Sequence, residues 1–274
     1  MNYQDLAVHT FTTKPWSINE CIEGYAKRGI GGISIWRETV DGEDLCSVAR
    51  QVRDAGLRGI SYVRGGFFTG KTEKERRDAL EENRQLIREA EILELPSLVL
   101  VCGATVGQNP RENYEQIRDG IGIIADEAAS HGVRLLIEPL HPVYAGDRSA
   151  IPSLRVANDL CEEVNHHNVG IALDVYHVWW ELDLAEQIER CAKNGWLDAY
   201  HICDFKPDQN HLLLDRGIMG EGCCDLHGID GVMKDVGFEG FREVEIFSSK
   251  WWERDQEDFL DEILYAYDKV YQLL

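Results

Sequence analysis

A chain of 274 residues is long enough for one large α/β domain or for two small ones, and a hydrophobic content of 44% is that of a soluble globular protein. Its 49 acidic residues against 28 basic ones leave a formal charge of −21, which repels nucleic acid and anionic membrane, and no basic patch in the sequence offsets it. No stretch approaches the roughly 20 apolar residues of a membrane-spanning helix, and the N-terminal MNYQDLAVHTF lacks the basic-then-apolar layout of a signal peptide, so a cytoplasmic protein with neither nucleic-acid nor membrane partners is expected.

Short β-rich apolar runs recur along the chain at Leu6 to Phe11, Gly32 to Trp36, Gly59 to Val63, Ser97 to Cys102, Arg134 to Pro139, Val169 to Val175, Ala199 to Phe205 and Arg242 to Phe247. Stretches with helical apolar spacing separate these eight runs, an alternation that predicts repeated βα units and a parallel sheet. Ser17-Ile-Asn-Glu20 and Thr72-Glu-Lys-Glu75 read as capping boxes, in which hydroxyl and carboxylate each satisfy an orphan backbone N–H at a helix start. Pro110 suits a first helical position, whereas Gly56, Gly132, Gly195 and Gly237 stand where a left-handed residue would end a helix. Asp255 to Leu274 reads as one amphipathic closing helix. No linker or low-complexity tract interrupts the pattern, so residues 1–274 are expected to form one α/β domain, a (β/α)8 barrel. A doubly wound open sheet is the alternative, because strand count alone does not prove closure. The eight cysteines show no CxxC pair and no zinc-ribbon spacing, which predicts reduced, mostly buried thiols.

A (β/α)8 barrel builds its active site at the C-terminal ends of its strands, so the polar residues that end the apolar runs carry the functional information. Arg134-Leu-Leu-Ile-Glu138 ends in a carboxylate and Val169-Gly-Ile-Ala-Leu-Asp174 in another; Asp198-Ala-Tyr-His201 supplies an imidazole and Arg242-Glu-Val-Glu245 a third carboxylate. Taken singly, each has a plain structural reading as a solvated strand end or a hydrogen-bonded core histidine. Taken together, three carboxylates aimed into one barrel mouth would repel one another and raise their pKa values unless a cation neutralised them. Glu138, Asp174, His201 and Glu245 are therefore expected to hold one divalent metal ion. Oxygen and imidazole donors without thiolates suit Mn²⁺ first, with Co²⁺, Zn²⁺ or Mg²⁺ as alternatives, and disfavour a structural zinc site.

At these residues the chain resembles the sugar phosphate isomerase/epimerase superfamily, the xylose-isomerase-like barrels. The motifs are Ile137-Glu-Pro-Leu-His141, Leu173-Asp-Val-Tyr-His177, His201-Ile-Cys-Asp204, Arg216-Gly-Ile-Met-Gly-Glu-Gly222 and Glu243-Val-Glu-Ile-Phe247, and the resemblance spans essentially the whole chain. It implies the same four ligands and an acid/base role for Glu138 and Glu245. In such a site the cation stabilises the enediolate formed when a C–H beside a sugar carbonyl loses its proton, one glutamate taking that proton and the other returning one. The resemblance also makes His177 a contact to a substrate oxygen and Arg216 a contact to substrate hydroxyls or phosphate. Their plain readings are a capping histidine and a surface arginine on a mobile loop. Trp36, Phe67, Phe68, Trp179, Trp180, Trp251 and Trp252 near strand ends are more often packing than sugar-stacking residues.

One departure is His141, three residues beyond Glu138, which would add a third acid/base group that a simple epimerase does not need. With Ala145-Gly-Asp-Arg148-Ser and the Trp-rich loops, it makes the chain similar to the large subunit of bacterial C-glycoside deglycosidases. That resemblance implies a 3-oxo-glucoside substrate, loss of the aglycone from the enolate, and an oligomer with a small β-subunit. The competing expectation is a ketose 3-epimerase or aldose–ketose isomerase on the same ligands. A DNA-binding barrel of the endonuclease IV type would need more histidine ligands and a basic face, a two-carboxylate glycosidase would need no metal, and a non-catalytic binding barrel would be expected to lose a ligand.

Overall fold

The computed structural model describes residues 3–272. Eight strands, β1 (Tyr3–His9), β2 (Ile30–Trp36), β3 (Arg58–Gly66), β4 (Ser97–Val101), β5 (Arg134–Ile137), β6 (Val169–Asp174), β7 (Leu197–Ile202) and β8 (Arg242–Val244), follow one another in chain order and close as a parallel barrel. The closed order is that of a TIM barrel and excludes the open doubly wound sheet. Helices α1 (Ile18–Lys27), α2 (Leu45–Asp54), α3 (Glu73–Ile92), α4 (Pro110–Ser130), α5 (Leu154–Val164), α6 (Val175–Val178), α7 (Leu184–Lys193), α8 (Leu226–Asp235), α9 (Ser249–Trp252) and α10 (Gln256–Tyr267) alternate with the strands. By its contacts the chain forms two compact units, Met1–Ile60 with Tyr200–Leu274, and Ser61–Ala199.

In the first unit β1 lies between β2 and β8, with His9 opposite Ser34 and Val8 opposite Val244, while β7 pairs with β8 so that His201 stands opposite Glu243. Leu6, Val8, Ile33, Ile35, Ile202 and Val244 have no exposed surface. Burial on both faces explains why these runs read as continuous rather than alternating. Gly31 permits the close approach of β1 and β2, since a Cβ there would lie 2.3 Å from the carbonyl oxygen of Gln4.

In the second unit Ile137 of β5 stands opposite Leu100 of β4 and Ile171 of β6. The end of β3 is pinned to α3 by the buried Asn83 amide, whose Oδ1 accepts from Gly66 N and whose Nδ2 donates to Gly66 O, both at 2.7 Å.

The helix boundaries follow from local chemistry. Both capping boxes form: Glu20 N donates to Ser17 Oγ at 3.4 Å while Ser17 N donates to Glu20 Oε2 at 2.7 Å, and Thr72 and Glu75 repeat the exchange at 3.2 and 2.9 Å. Pro110 opens α4, and Gly132 (φ 68°), Gly195 (φ 71°), Gly56 and Gly237 (φ 78° and 76°) take the left-handed conformation just past helix ends. The closing helix differs from its expected span. α10 begins after Asp255, which caps it, and stops at Tyr267; Asp268–Gln272 is a π-helical turn, with Asp268 accepting from the Tyr3 hydroxyl at 2.9 Å, and the last two positions lie outside the described residues.

Several strands also end earlier than the apolar runs predict. β1 stops at His9, where Thr12 N turns back to His9 O, and β5 stops at Ile137, ahead of Pro139, which has no N–H to donate. No disulfide joins the eight cysteines, and no helix among the described residues is long and apolar enough to cross a membrane.

Candidate metal centre

In the first unit Glu245 follows β8 directly, its N–H donating to Ile202 O at 3.1 Å. Its carboxylate sits between the His9 imidazole and the Arg216 guanidinium. Oε1 lies 3.1 Å from His9 Nδ1, and Oε2 accepts from Arg216 Nη1 at 2.9 Å, which also reaches Glu245 O at 3.2 Å. Arg216 is placed by backbone pairing: its N–H donates to Phe247 O, and neighbouring Asp215 bridges Ser248. The guanidinium stacks over the Phe247 ring at 4.5 Å. Arg216, expected on a mobile surface loop if not at the substrate, is thus buried and bound to a proposed ligand.

Burial alone would raise the Glu245 pKa, but the charges of His9 and Arg216 outweigh it and hold the carboxyl well below the usual range. The repulsion expected among carboxylates without a neutralising cation is offset at Glu245 by these two groups, which the chain itself supplies. His9 is affected in the opposite sense: burial lowers its pKa, and Glu245, against the opposing charge of His201, raises it above the ordinary histidine value.

His201 lies in β7 with no exposed surface, its ring 4.6 Å from that of His9 in an edge-to-face contact. Glu243, two residues before Glu245 and therefore on the same face of β8, brings Oε2 to 3.3 Å from His9 Nε2 and accepts from Ser34 Oγ at 2.5 Å. The His9–Glu243 contact has ion-pair distance without the alignment of a hydrogen bond. His9, Ser34 and Glu243 were not singled out from the sequence as site residues. The signal was present in the two-residue spacing of Glu243 and Glu245 and in a histidine near the end of the first strand.

In the second unit Glu138 follows β5, with its N–H on Leu100 O at 3.2 Å, and Asp174 ends β6. Asp174 caps α6, Oδ1 accepting from Tyr176 N at 2.9 Å, and its Oδ2 lies 3.6 Å from His177 Nε2. His177 Nδ1 accepts from His141 N at 3.2 Å, which leaves the proton of the neutral His177 ring on Nε2, facing Asp174. His141 is half-buried; its Nδ1 accepts from Val143 N at 3.2 Å, its ring meets the Trp180 ring edge to face at 6.0 Å, and burial lowers its pKa.

One ligand atom from each of Glu138, Asp174, His201 and Glu245 lies within 4.8 Å of the others, and all four residues are buried. Three carboxylates and an imidazole at that spacing fit a divalent cation. A second group with the same property is His9, His201 and Glu243.

The aromatic residues divide. Trp251 stacks on Phe259 at 4.8 Å, and Phe68 is 2% exposed against Gly120 of α4, so both pack. Trp36, Phe11, Phe247 and Trp252 form one cluster, and Trp180 Nε1 donates to His177 O at 2.8 Å.

The chain matches the family model described as xylose isomerase-like TIM barrel over residues 22–265. It is 37% identical to the crystal structure of protein SMc04130 from Sinorhizobium meliloti 1021, with a TM-score of 0.95 over 98% of this chain and 99% of that one. The structure of the IOLI protein with a bound zinc atom superposes with a TM-score of 0.85 at 21% identity, over 97% of each chain, a likeness of fold. Among curated proteins, inosose isomerase of Bacillus licheniformis is 24% identical over 196 residues, 70% of this chain and 68% of the relative. Closed barrel, strand-end donors and family match agree, and the chain belongs to the xylose isomerase-like TIM barrel family.

Proposed function

We propose that this protein is a divalent-metal-dependent enzyme of the sugar isomerase/epimerase type that removes a proton from the carbon beside a carbonyl of a sugar or cyclitol. The observation that carries the reading is the convergence of four buried donor atoms from Glu138, Asp174, His201 and Glu245. The similarity to inosose isomerase supports the substrate class. The cation, with Mn²⁺ the first choice, would supply Lewis-acid stabilisation of the charge that builds on the substrate oxygens.

The chain's own groups divide the remaining work. Asp174 and His201 anchor. Glu138 and Glu245 transfer protons, Glu245 from the ionised form in which His9 and Arg216 hold it, which also makes it a weaker base than an ordinary carboxylate. His177 offers an Nε2–H to a substrate oxygen, and Arg216 fixes the direction of the Glu245 carboxylate while remaining a candidate contact to substrate hydroxyls or phosphate.

His141 favours a second reading. Half-buried three residues beyond Glu138, it suits management of a proton on a phenolic leaving group, the role it would have in the catalytic subunit of a C-glycoside deglycosidase acting on 3-oxo-glucosides beside a small β-subunit. Purified protein assayed with an inosose, with free ketoses and with a 3-oxo-C-glucoside, before and after EDTA and after Mn²⁺ is restored, separates the two. The first reading expects turnover of inosose or ketose that EDTA abolishes and Mn²⁺ restores. Aglycone release alone would replace it with the second, and turnover indifferent to EDTA would end both.

A further inference from the structure

Two stretches of the first unit, His201 to Asp204 and Arg216 to Gly222, interlock. Asp204, two residues beyond β7 and 1% exposed, gathers three backbone N–H groups on its carboxylate. Oδ1 accepts from Phe205 N at 2.8 Å and Cys224 N at 3.0 Å, and Oδ2 accepts from Gly220 N at 2.9 Å. Its own backbone exchanges two hydrogen bonds with Gly217, both at 2.9 Å. The turn that follows Arg216 is therefore folded around this carboxylate. Gly222 permits the enclosure, since a Cβ there would lie 2.4 Å from Asp204 Oδ1 and 2.3 Å from Phe205 O. Glu221 braces the turn, Oε2 accepting from Ile218 N at 3.0 Å.

Arg216 stands at the entrance to the turn. A guanidinium ends a long, flexible side chain, so its aim at one carboxylate oxygen depends on how firmly its backbone is held. On one side the Arg216 N–H donates to Phe247 O, beyond β8; on the other, Gly217 is paired to Asp204, beyond β7. From that position Nη1 reaches Glu245 Oε2 at 2.9 Å.

We propose that Asp204 is a positioning residue: by holding the Gly220 to Cys224 backbone around its carboxylate it fixes the Arg216 backbone and so aims the guanidinium at Glu245. The catalytic consequence of that aim rests on the function proposed above; the placement of Arg216 does not. The rival account makes Asp204 the anchor of its own turn alone, with Arg216 held sufficiently by Phe247, whose carbonyl takes its N–H and whose ring carries the guanidinium at 4.5 Å. Asp204→Asn discriminates between them. It keeps the side-chain volume, but an amide nitrogen cannot accept, so in either orientation at least one of the three N–H groups faces another donor.

The test follows the Arg216 guanidinium by NMR in the ¹⁵N-arginine-labelled, metal-free full chain, with Arg216→Met identifying its signals. In the wild type these should exchange slowly with solvent, and Asp204→Asn should speed their exchange at least about 10-fold, the effect of losing one hydrogen bond to a charged group. Gly222→Ala, which forces the turn away from Asp204 without touching the carboxylate, should act in the same direction. In urea unfolding, Asp204→Asn combined with Arg216→Met should raise the unfolding constant less than the product of the single effects, by a factor of at least about 5. Unchanged exchange in Asp204→Asn, or effects that simply multiply, would leave Asp204 a turn anchor and overturn the proposal. If Asp204→Asn does not fold, Gly222→Ala decides by the same two measurements. On an inosose or ketose, Asp204→Asn should lower kcat more than it raises KM. Should the wild type turn over neither, the proposed function falls and the exchange rates still decide the placement.

Discussion

Glu245 and Asp174 are both buried carboxylates at strand ends, each with its own described contacts. Glu245 has two neighbours from its own unit, the Arg216 guanidinium on Oε2 and the His9 imidazole on Oε1. The partners described for Asp174 are the Tyr176 backbone N–H and, at 3.6 Å, the His177 ring. The first unit thus gives Glu245 the Arg216 guanidinium as countercharge, and Asp174 caps α6. Carboxylates gathered at strand ends are an argument for a cation only after the protein's own cations have been counted.

Stability measurements on metal-free protein, where ligand binding does not intervene, separate the two carboxylates. Arg216→Met removes one partner of a buried ion pair and leaves Glu245 dependent on His9; urea unfolding should show a loss of about 3 kcal/mol. Asp174→Ala removes a cap from the four-residue helix α6, and the expected loss is about 1 kcal/mol. The reverse order would mean that Glu245 does not depend on Arg216 for its charge.

A smaller effect, confined to the second unit, is one of pH. Glu181 is buried and accepts from Leu154 N at 2.6 Å at the start of α5, and burial pushes its pKa from 4.5 up to about 6. A carboxyl that holds its proton more tightly when folded contributes stability that is complete below pH 4.5 and is lost as pH rises through about 6. Glu181→Gln, whose amide oxygen can still accept from Leu154 N, should remove that decline. Thermal melts of both forms across pH 4 to 8 check it, and parallel curves would show that Glu181 titrates normally.

Much of this architecture was legible in the sequence because it depends on local chemistry. Eight buried parallel strands read as eight apolar runs, and Ser17, Thr72, Pro110 and the glycines past helix ends act within a few residues of themselves. The four proposed ligands were legible for a related reason: each lies at or near the end of its run. What did not show was the pairing of residues far apart in the chain. Arg216 reaches Glu245 because the segment before it pairs with the chain after β8, and His9 reaches Glu243 and Glu245 because β1 lies beside β8. Neither partnership has a signature within a short window. Strand ends were overestimated where an apolar run continues past its last ladder residue, as at Phe11 and Phe247.

Glu138, Asp174, His201 and Glu245 are proposed to bind one cation together. Titration of metal-free protein with Mn²⁺, followed calorimetrically and by elemental analysis after dialysis, tests this directly in the wild type and in Asp174→Ala. One ion per chain in the wild type and a loss of binding of at least about 10-fold in the variant is the predicted result. No bound ion in the wild type, or equal binding by both proteins, would contradict it.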